Sequence, residues 1–298
     1  MPEINLKGMG VALITPFNED GSIDFDALSS LIEYQIEGGI NYLVVLGTTA
    51  ETPTLSDDEK NEVVEFVTDK VNGRIPIILG EGGNNTRAIV DKLKKNNYPK
   101  GIDGILSVVP YYNKPTQEGI YQHYKAIAEA SSYPVILYNV PGRTGVNMTA
   151  ATTLRLAREF SNIVAIKEAS GNICQINEII KDKPTGFEVI SGDDGITLSL
   201  IEMGGIGVIS VIGNAFPKEF AQMTTLALNG KQEEARNIHY ELSELYDLLF
   251  VDGNPAGVKS MLRYMNRVKN VLRLPLMPTS EQTTKKINSA LTKLNINR

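Results

Sequence analysis

Short apolar runs recur along the chain, and each is followed by a turn and then by a longer amphipathic stretch. The runs are rich in Val, Ile and Leu without strict alternation, which is typical of parallel strands buried on both faces. Eight runs predict strands, at residues 11–14, 42–46, 75–79, 104–109, 135–138, 163–166, 188–190 and 207–211. The stretches between them predict helices over residues 24–37, 57–71, 86–96, 117–130, 150–160, 173–181 and 196–203.

Repeated strand–helix units with right-handed crossovers close most simply into an α/β fold, the (β/α)8 or TIM barrel. A doubly wound open sheet is the alternative. It is disfavoured because the first strand leads into Thr15-Pro16-Phe17-Asn18 instead of a glycine-rich dinucleotide-binding turn. The segment Gly80–Asn85 does follow a strand, but it lacks the third glycine of that motif and fits a barrel loop better.

The pattern after the eighth strand is purely helical. It predicts helices over residues 218–228, 232–250, 255–266 and 280–294, with Pro275 and Pro278 marking a break. A barrel uses only the first of these as its eighth helix. We therefore predict a barrel over residues 1–229 and a C-terminal helical extension over residues 230–298 that packs on it.

Composition narrows the function classes. The chain has 298 residues, 42% of them apolar and 21% charged, and a net charge of −6 without a cluster of Lys and Arg. Such a charge disfavours binding to nucleic acid or to an anionic membrane, so we expect small-molecule substrates. The single cysteine, Cys174, and the lack of a signal-peptide pattern or an apolar stretch of about 18 residues predict a cytoplasmic protein.

Histidine is as scarce as cysteine. His123 and His239 both lie in polar, helix-like segments, so we expect both to be solvated helix residues. Metal sites and nucleophilic triads draw on clustered His and Cys, which this sequence lacks. We expect an enzyme without a metal, working with Lys, Tyr, Thr, Arg and carboxylates.

Active sites of TIM barrels lie where the strands end, and Lys167 follows the apolar run at residues 163–166. Desolvation disfavours the charged form of a lysine and makes the neutral, nucleophilic amine more available. The alternative is a structural salt bridge with Glu168 or with an acid on a neighbouring strand. Position alone does not decide between them.

Other strand ends carry polar groups with two interpretations each. Tyr138 can move protons as a general acid or base, or be a packed aromatic residue. Thr48 and Thr49 offer hydroxyl and backbone N–H groups to a carboxylate, or cap a turn. Arg143 can bind a carboxylate through two N–H groups, or be a solvated loop residue. For Asp193-Asp194 we favour capping and hydrogen bonding over a metal site.

Five segments in order along the chain are Gly47-Thr48-Thr49-Ala50-Glu51, Pro110-Tyr111-Tyr112, Tyr138-Asn139-Val140-Pro141-Gly142-Arg143-Thr144-Gly145, Ile166-Lys167-Glu168-Ala169 and Ser191-Gly192-Asp193-Asp194. Together they resemble the dihydrodipicolinate synthase/N-acetylneuraminate lyase family, and the resemblance covers essentially the whole chain. Within that family, Thr48-Thr49 and Arg143 point to the condensation of pyruvate with L-aspartate 4-semialdehyde, a lyase-class step of lysine and diaminopimelate biosynthesis.

The resemblance implies roles for individual residues. Lys167 forms an imine with pyruvate that tautomerises to an enamine, so no cofactor beyond this covalent imine is expected. Thr48 and Thr49 hold the pyruvate carboxylate. Tyr138, Thr49 and Tyr112 form a proton relay, in which Tyr112 reaches into the site of a neighbouring subunit.

The second substrate and the assembly are also implied. Arg143 receives the carboxylate of L-aspartate 4-semialdehyde, and Gly192 and Ile209 line the pocket through their backbone. A homotetramer built from dimers is expected. Two alternatives remain: another Schiff-base lyase of the family, acting on N-acetylneuraminate or a sugar acid, and a non-catalytic protein that binds 2-oxo acids.

The sequence departs from the family pattern at several positions, among them Thr52, where serine is common. Ala50 replaces a glycine, so either that residue is not left-handed or its turn is slightly strained. Lys60 and Ala88 stand where lysine-sensitive members tend to carry histidine and glutamate. An added cation and a missing carboxylate disfavour a cationic effector, so we predict weak or absent inhibition by lysine.

Overall fold

Eight parallel strands form the centre of the computed structural model, which describes residues 4–296. Each strand pairs with the next and β8 pairs with β1, so the sheet is a closed barrel. The strands are β1 (Gly8–Ala12), β2 (Tyr42–Val45), β3 (Ile77–Gly80), β4 (Gly104–Val108), β5 (Val135–Asn139), β6 (Ile163–Glu168), β7 (Glu188–Ser191) and β8 (Gly207–Ser210). The predicted α/β TIM barrel is confirmed.

Helices surround the barrel, and polar side chains cap the N-termini of several of them. Before the second helix, for example, Ser56 accepts from the backbone N–H of Glu59, and the Glu59 carboxylate accepts from the N–H of Ser56. The helices of this part are α1 (Phe25–Glu37), α2 (Asp57–Val71), α3 (Thr86–Lys95), α4 (Gln117–Ala130), α5 (Pro141–Thr144), α6 (Ala150–Glu159), α7 (Ile173–Asp182), α8 (Thr197–Glu202) and α9 (Pro217–Leu228). The single-turn α5 was not predicted, because one turn carries no periodic signal.

The first strand shows the largest shift from its predicted bounds, which were residues 11–14. The strand begins at Gly8. The prediction missed its first residues because Gly8 and Gly10 weaken the apolar pattern there. A Cβ atom on Gly10 would lie 2.1 Å from the ring of Tyr42, so only glycine lets that ring pack against β1.

The inward-pointing side chains, at alternate positions of each of the eight strands, pack together inside the barrel. This interior cluster contains Ala12, Tyr42, Val44, Ile78, Leu106, Ile136, Tyr138, Ala165, Ile190 and Ile209. Lys167 lies two residues after Ala165 on β6 and therefore shares its face, whereas Glu168 faces the helices. A lysine at this position points into the end of the barrel.

Three helices follow α9, namely α10 (Gln232–Leu248), α11 (Ala256–Tyr264) and α12 (Glu281–Lys293). α10 packs on α9, and α12 packs on both α10 and α11. The predicted helical extension is therefore present. Its boundary at residues 229 and 230 stays a prediction, and residues 1–3 and 297–298 of the two predicted units lie outside the described residues. No helix within residues 4–296 has the length and apolar character needed to cross a bilayer.

Candidate active site

Lys167 is a buried lysine at the carboxyl end of β6, with 5% of its surface exposed. It stands beside Tyr138 in the parallel register of β5 and β6. Its Nζ atom lies 4.5 Å from the centre of the Tyr138 ring, and Tyr138 is also buried. The Lys167 amine therefore lies over the Tyr138 ring inside the end of the barrel.

Glu168 does not form the salt bridge that was the alternative interpretation of Lys167. Its carboxylate accepts hydrogen bonds from Asn139 Nδ2 (3.1 and 3.2 Å), Gln175 Nε2 (3.1 Å) and the backbone N–H of Ser170 (2.8 Å). Burial on this outer face raises the pKa of Glu168. Among residues 4–296, no carboxylate forms an ion pair with Lys167.

Gly192 lies against the Lys167 side chain just after β7. A Cβ atom at Gly192 would come within 3.0 Å of Lys167 Cε and 2.7 Å of the Ala169 Cβ atom. Such contacts would displace the lysine, which gives a physical reason for glycine here. Ile209, the other predicted pocket residue, is fully buried in the interior cluster of the barrel.

A cavity of about 350 Å³ opens at this end of the barrel. Its wall brings together Thr48, Tyr138 and Arg143, three of the predicted site residues. The remaining wall residues are Leu46, Gly47, Thr52, Pro53, Lys60, Gly80, Gly82, Leu106, Val108, Tyr111, Val140 and Thr144. Lys167 is not one of the wall residues, but its amine contacts the ring of Tyr138, which is.

Arg143 stands at the cavity on the single-turn helix α5. The turn is fixed by backbone hydrogen bonds from Arg143 and Thr144 to the Val140 carbonyl. The side chain is exposed, and within the described part of the chain no carboxylate pairs with it. An unpaired guanidinium at a cavity wall is suited to bind the carboxylate of a ligand.

Thr48 and Thr49 open a short 3-10 turn, Thr48–Ala50. Within residues 4–296, neither of their backbone N–H groups donates a hydrogen bond, so both are available to a carboxylate. The Thr49 hydroxyl is buried and accepts a hydrogen bond of 3.0 Å from Asn254 Nδ2. Ala50 is not left-handed; the positive φ of 56° belongs to the next residue, Glu51.

Tyr112 is not brought to Lys167 within this chain. Its side chain is 87% exposed, and its backbone has a positive φ of 71°. Tyrosine rarely adopts this left-handed conformation, which costs free energy and is often found at functional sites. The backbone N–H of Tyr112 donates to the Thr144 carbonyl at 3.4 Å, so the strained residue is tied to the loop of Arg143.

His123 corrects one expectation. It lies on α4 as predicted but is 3% exposed, and its Nδ1 atom is hydrogen-bonded to Thr86 Oγ1 at 2.8 Å. Burial lowers its pKa to about 4. The prediction of a solvated residue was wrong because His123 lies on the face of α4 that packs inward.

The aspartates after β7 form hydrogen bonds, as predicted. Asp193 accepts from the backbone N–H of Gly195, and Asp194 accepts from those of Val211 and Ile212. Throughout residues 4–296, no three His, Cys, Asp or Glu residues are grouped as a metal site would require.

Sequence reasoning missed two residues that hold the threonine turn. Asn254 contacts Thr49, and Lys259 on α11 forms a fully buried ion pair with Glu51. A signal for Lys259 did exist, because it interrupts the otherwise small and apolar segment Ala256–Leu262, which is buried throughout. Nothing local to Asn254 indicates a partner 205 residues away.

Comparison with known proteins decides the family. A model described as the Dihydrodipicolinate synthetase family matches residues 5–294. The chain belongs to this family. A relative from Parabacteroides distasonis, named 4-hydroxy-tetrahydrodipicolinate synthase, is 64% identical over 99% of both chains. The family predicted from the sequence is thus confirmed.

Solved structures of the dihydrodipicolinate synthetase family agree with the fold. The chloride-inhibited dihydrodipicolinate synthase of Acinetobacter baumannii, complexed with pyruvate, is 41% identical with a TM-score of 0.94 and covers 98% of this chain and 100% of its own. A monomeric dihydrodipicolinate synthase variant is also 41% identical with a TM-score of 0.94, covering 97% of both chains. The family fold therefore occurs in a protein described as monomeric.

Proposed function

We propose that this protein is a 4-hydroxy-tetrahydrodipicolinate synthase, which condenses pyruvate with L-aspartate 4-semialdehyde. The observation that carries the proposal is Lys167, buried without an ion-pair partner and in contact with Tyr138, beside a cavity that Thr48 and Arg143 also line. Lys167 and the adjacent cavity wall together offer a nucleophile, a proton carrier and groups for two carboxylates. The names of two relatives that are 64% and 62% identical to this chain support the same activity.

The proposed reaction begins at the Lys167 amine, which attacks the C2 carbonyl of pyruvate. Water leaves and an imine forms. Loss of a methyl proton gives an enamine, whose carbon attacks the aldehyde of the semialdehyde and forms the new C–C bond. The amine of this second substrate then attacks the imine carbon, closes the ring and releases Lys167.

Proton transfers in this sequence are assigned to Tyr138, Thr49 and Tyr112. Thr48 and Thr49 bind the pyruvate carboxylate through their backbone N–H groups and the Thr48 hydroxyl, and Arg143 binds that of the semialdehyde. Gly192 and Ile209 complete the pocket. The chemistry asks for no cofactor beyond the imine itself.

The assay compares two reactions on one preparation. We expect pyruvate and L-aspartate 4-semialdehyde to be consumed together, and N-acetylneuraminate to release no pyruvate. The Lys167→Ala variant is the control and should be inactive in both. Cleavage of N-acetylneuraminate without condensation would instead support a sugar-acid lyase. We do not expect this outcome, because a polyhydroxylated substrate needs hydroxyl partners more than the fixed cation of Arg143.

We also propose a homotetramer of two dimers, in which Tyr112 completes the site of the partner subunit. The exposed side chain and the left-handed backbone of Tyr112 support this. Mixing refolded Lys167→Ala and Tyr112→Phe chains tests it, because a hybrid dimer holds one intact site. We expect about a quarter of wild-type activity from a 1:1 mixture. No recovery, or a monomer on sedimentation, would contradict the proposal.

A cytoplasmic location belongs to the proposal as well. It rests on the biosynthetic reaction and on the free, exposed thiol of Cys174, which suits a reducing compartment. Fractionation of cells that express the tagged chain would test it. Recovery outside the cytoplasmic fraction would contradict it.

A further inference from the structure

Asn254 links the C-terminal extension directly to the proposed proton relay. It lies in the connection between α10 and α11, and 5% of its surface is exposed. Its Nδ2 atom donates a hydrogen bond of 3.0 Å to the Thr49 hydroxyl oxygen, which is itself buried. Water does not compete readily for a contact so deep in the protein.

The segment next to Thr49 is held by the same region of the chain. Glu51 forms a fully buried ion pair with Lys259 and accepts a hydrogen bond of 3.0 Å from the backbone N–H of Arg273. Lys259 also donates to the Val271 carbonyl at 2.9 Å. These contacts hold Glu51 in its left-handed conformation. Because Glu51 ends the turn Thr48–Ala50, the C-terminal extension fixes the end of that turn.

Asparagine at position 254 does not give the greatest stability to the folded protein. Its carbonyl oxygen, Oδ1, is buried, and no partner for it exists within residues 4–296. A buried acceptor without a partner costs free energy, so stability alone would favour an apolar side chain of similar size. The N–H group aimed at Thr49 therefore needs a different explanation.

A hydroxyl group has one hydrogen to donate and two lone pairs that accept. The Asn254 amide occupies one lone pair of Thr49. The hydroxyl keeps one lone pair to accept a proton and its own hydrogen to donate, which are the two functions that a relay between two tyrosines requires.

We propose that Asn254 is a positioning residue that fixes the direction of the Thr49 hydroxyl, and that the C-terminal extension is thereby part of the active site. This inference rests on the proposed function, because the role of Thr49 in proton transfer is part of that proposal.

The test uses kcat and KM of the full-length enzyme with Asn254→Leu, Asn254→Asp and Thr49→Val, alone and combined. Asn254→Asp keeps the shape of the side chain but accepts from Thr49 instead of donating. We expect both Asn254 variants to lower kcat by about 10- to 100-fold, which is less than the loss expected when a proton-transferring group is removed. The KM for pyruvate should change by less than about threefold.

The double variant separates positioning from general damage. If Asn254 acts through Thr49, Asn254→Leu should lower kcat less than about twofold in the Thr49→Val background. Losses that multiply, or an Asn254→Asp enzyme with wild-type kcat, would overturn the inference. If Asn254→Leu does not fold, Asn254→Asp decides alone.

Asn162 provides a matched control at the opposite end of the barrel. It is 8% exposed, and its Nδ2 atom donates to the Ala128 carbonyl at 2.7 Å just before β6. Asn162→Leu should lower the melting temperature and leave kcat unchanged. A wild-type enzyme without condensation activity would refute the proposed function itself, and a Thr49→Val enzyme with normal kcat would refute the relay.

Discussion

Two lysines are buried among residues 4–296, and their surroundings differ. Lys167 and Lys259 have 5% and 0% of their surfaces exposed, and each amine lies over an aromatic ring, at 4.5 Å from Tyr138 and 4.3 Å from Phe17. Lys259 is paired with Glu51 and donates to a backbone carbonyl. Lys167 has no ion-pair partner within residues 4–296 and stands beside a cavity.

The difference shows that burial alone does not identify a nucleophile. Burial lowers the pKa of Lys259 to about 8, while the adjacent Glu51 carboxylate opposes this shift and holds the ammonium in place. The Glu51 carboxylate is bound to the Lys259 amine and blocks the approach of a carbonyl compound. A buried lysine without such a partner, in contact with a residue of a cavity wall, is the better candidate for imine chemistry.

Replacing Lys167 should have the largest effect. Lys167→Ala removes the only group proposed to bond to pyruvate, so we expect kcat to fall by more than about 1,000-fold. Steady-state condensation assays measure this, with circular dichroism to show that the barrel is intact. More than a tenth of wild-type activity would contradict the assignment.

Tyr138→Phe sharpens the role of the ring beside Lys167. Phenylalanine keeps the contact with the amine but cannot carry a proton, so kcat should fall by about 100- to 10,000-fold. Imine formation should still occur on long incubation with pyruvate. A kcat within threefold of wild type would reduce Tyr138 to a packing residue.

Replacing Lys259 should lower the free energy of unfolding more than replacing Lys167, the reverse of the order expected for activity. Lys259→Met leaves the Glu51 carboxylate buried without its cation and should cost about 3–5 kcal/mol of unfolding free energy. Lys167→Met, the matched control, breaks no ion pair and should not destabilise the protein. Urea unfolding measures both. Equal losses would mean that Lys167 has a structural partner after all.

Arg143 extends the comparison to a second cation without a partner. Loss of its charge-assisted hydrogen bonds in Arg143→Ala should raise the KM for L-aspartate 4-semialdehyde by about 10- to 100-fold. The KM for pyruvate should stay nearly constant. Arg236→Ala, an exposed arginine on α10, is the control. A KM increase shared by both substrates would argue against a specific carboxylate contact.

The smallest effect is expected from lysine as an effector. Lys60 forms an ion pair with Asp57 at 3.1 Å, and its ammonium repels a cationic ligand, while Ala88 offers no carboxylate. Millimolar L-lysine should therefore leave the rate nearly unchanged. The double variant Lys60→His with Ala88→Glu should gain sensitivity. Clear inhibition of the wild-type enzyme would refute this prediction.

Local sequence pattern was sufficient to predict the barrel and the position of Lys167 at the end of β6, but not the role of Lys167. The apolar runs predicted all eight strands, and the end of β6 placed Lys167 beside Tyr138, because parallel register follows from repeated strand–helix units. Asn254 could not be predicted, since its contact with Thr49 depends on how the extension packs across the barrel end. Burial of Lys259 and His123 likewise depends on which helix faces meet, which local polarity does not determine.

Borohydride trapping tests the central claim most directly. The protein is incubated with pyruvate, reduced, digested and mapped by mass spectrometry, with both buried lysines in view. We predict one pyruvate-derived adduct on the peptide of Lys167, absent in Lys167→Ala, and none on the peptide of Lys259. An adduct on Lys259, or no adduct on the wild-type protein, would contradict the Schiff-base mechanism at Lys167.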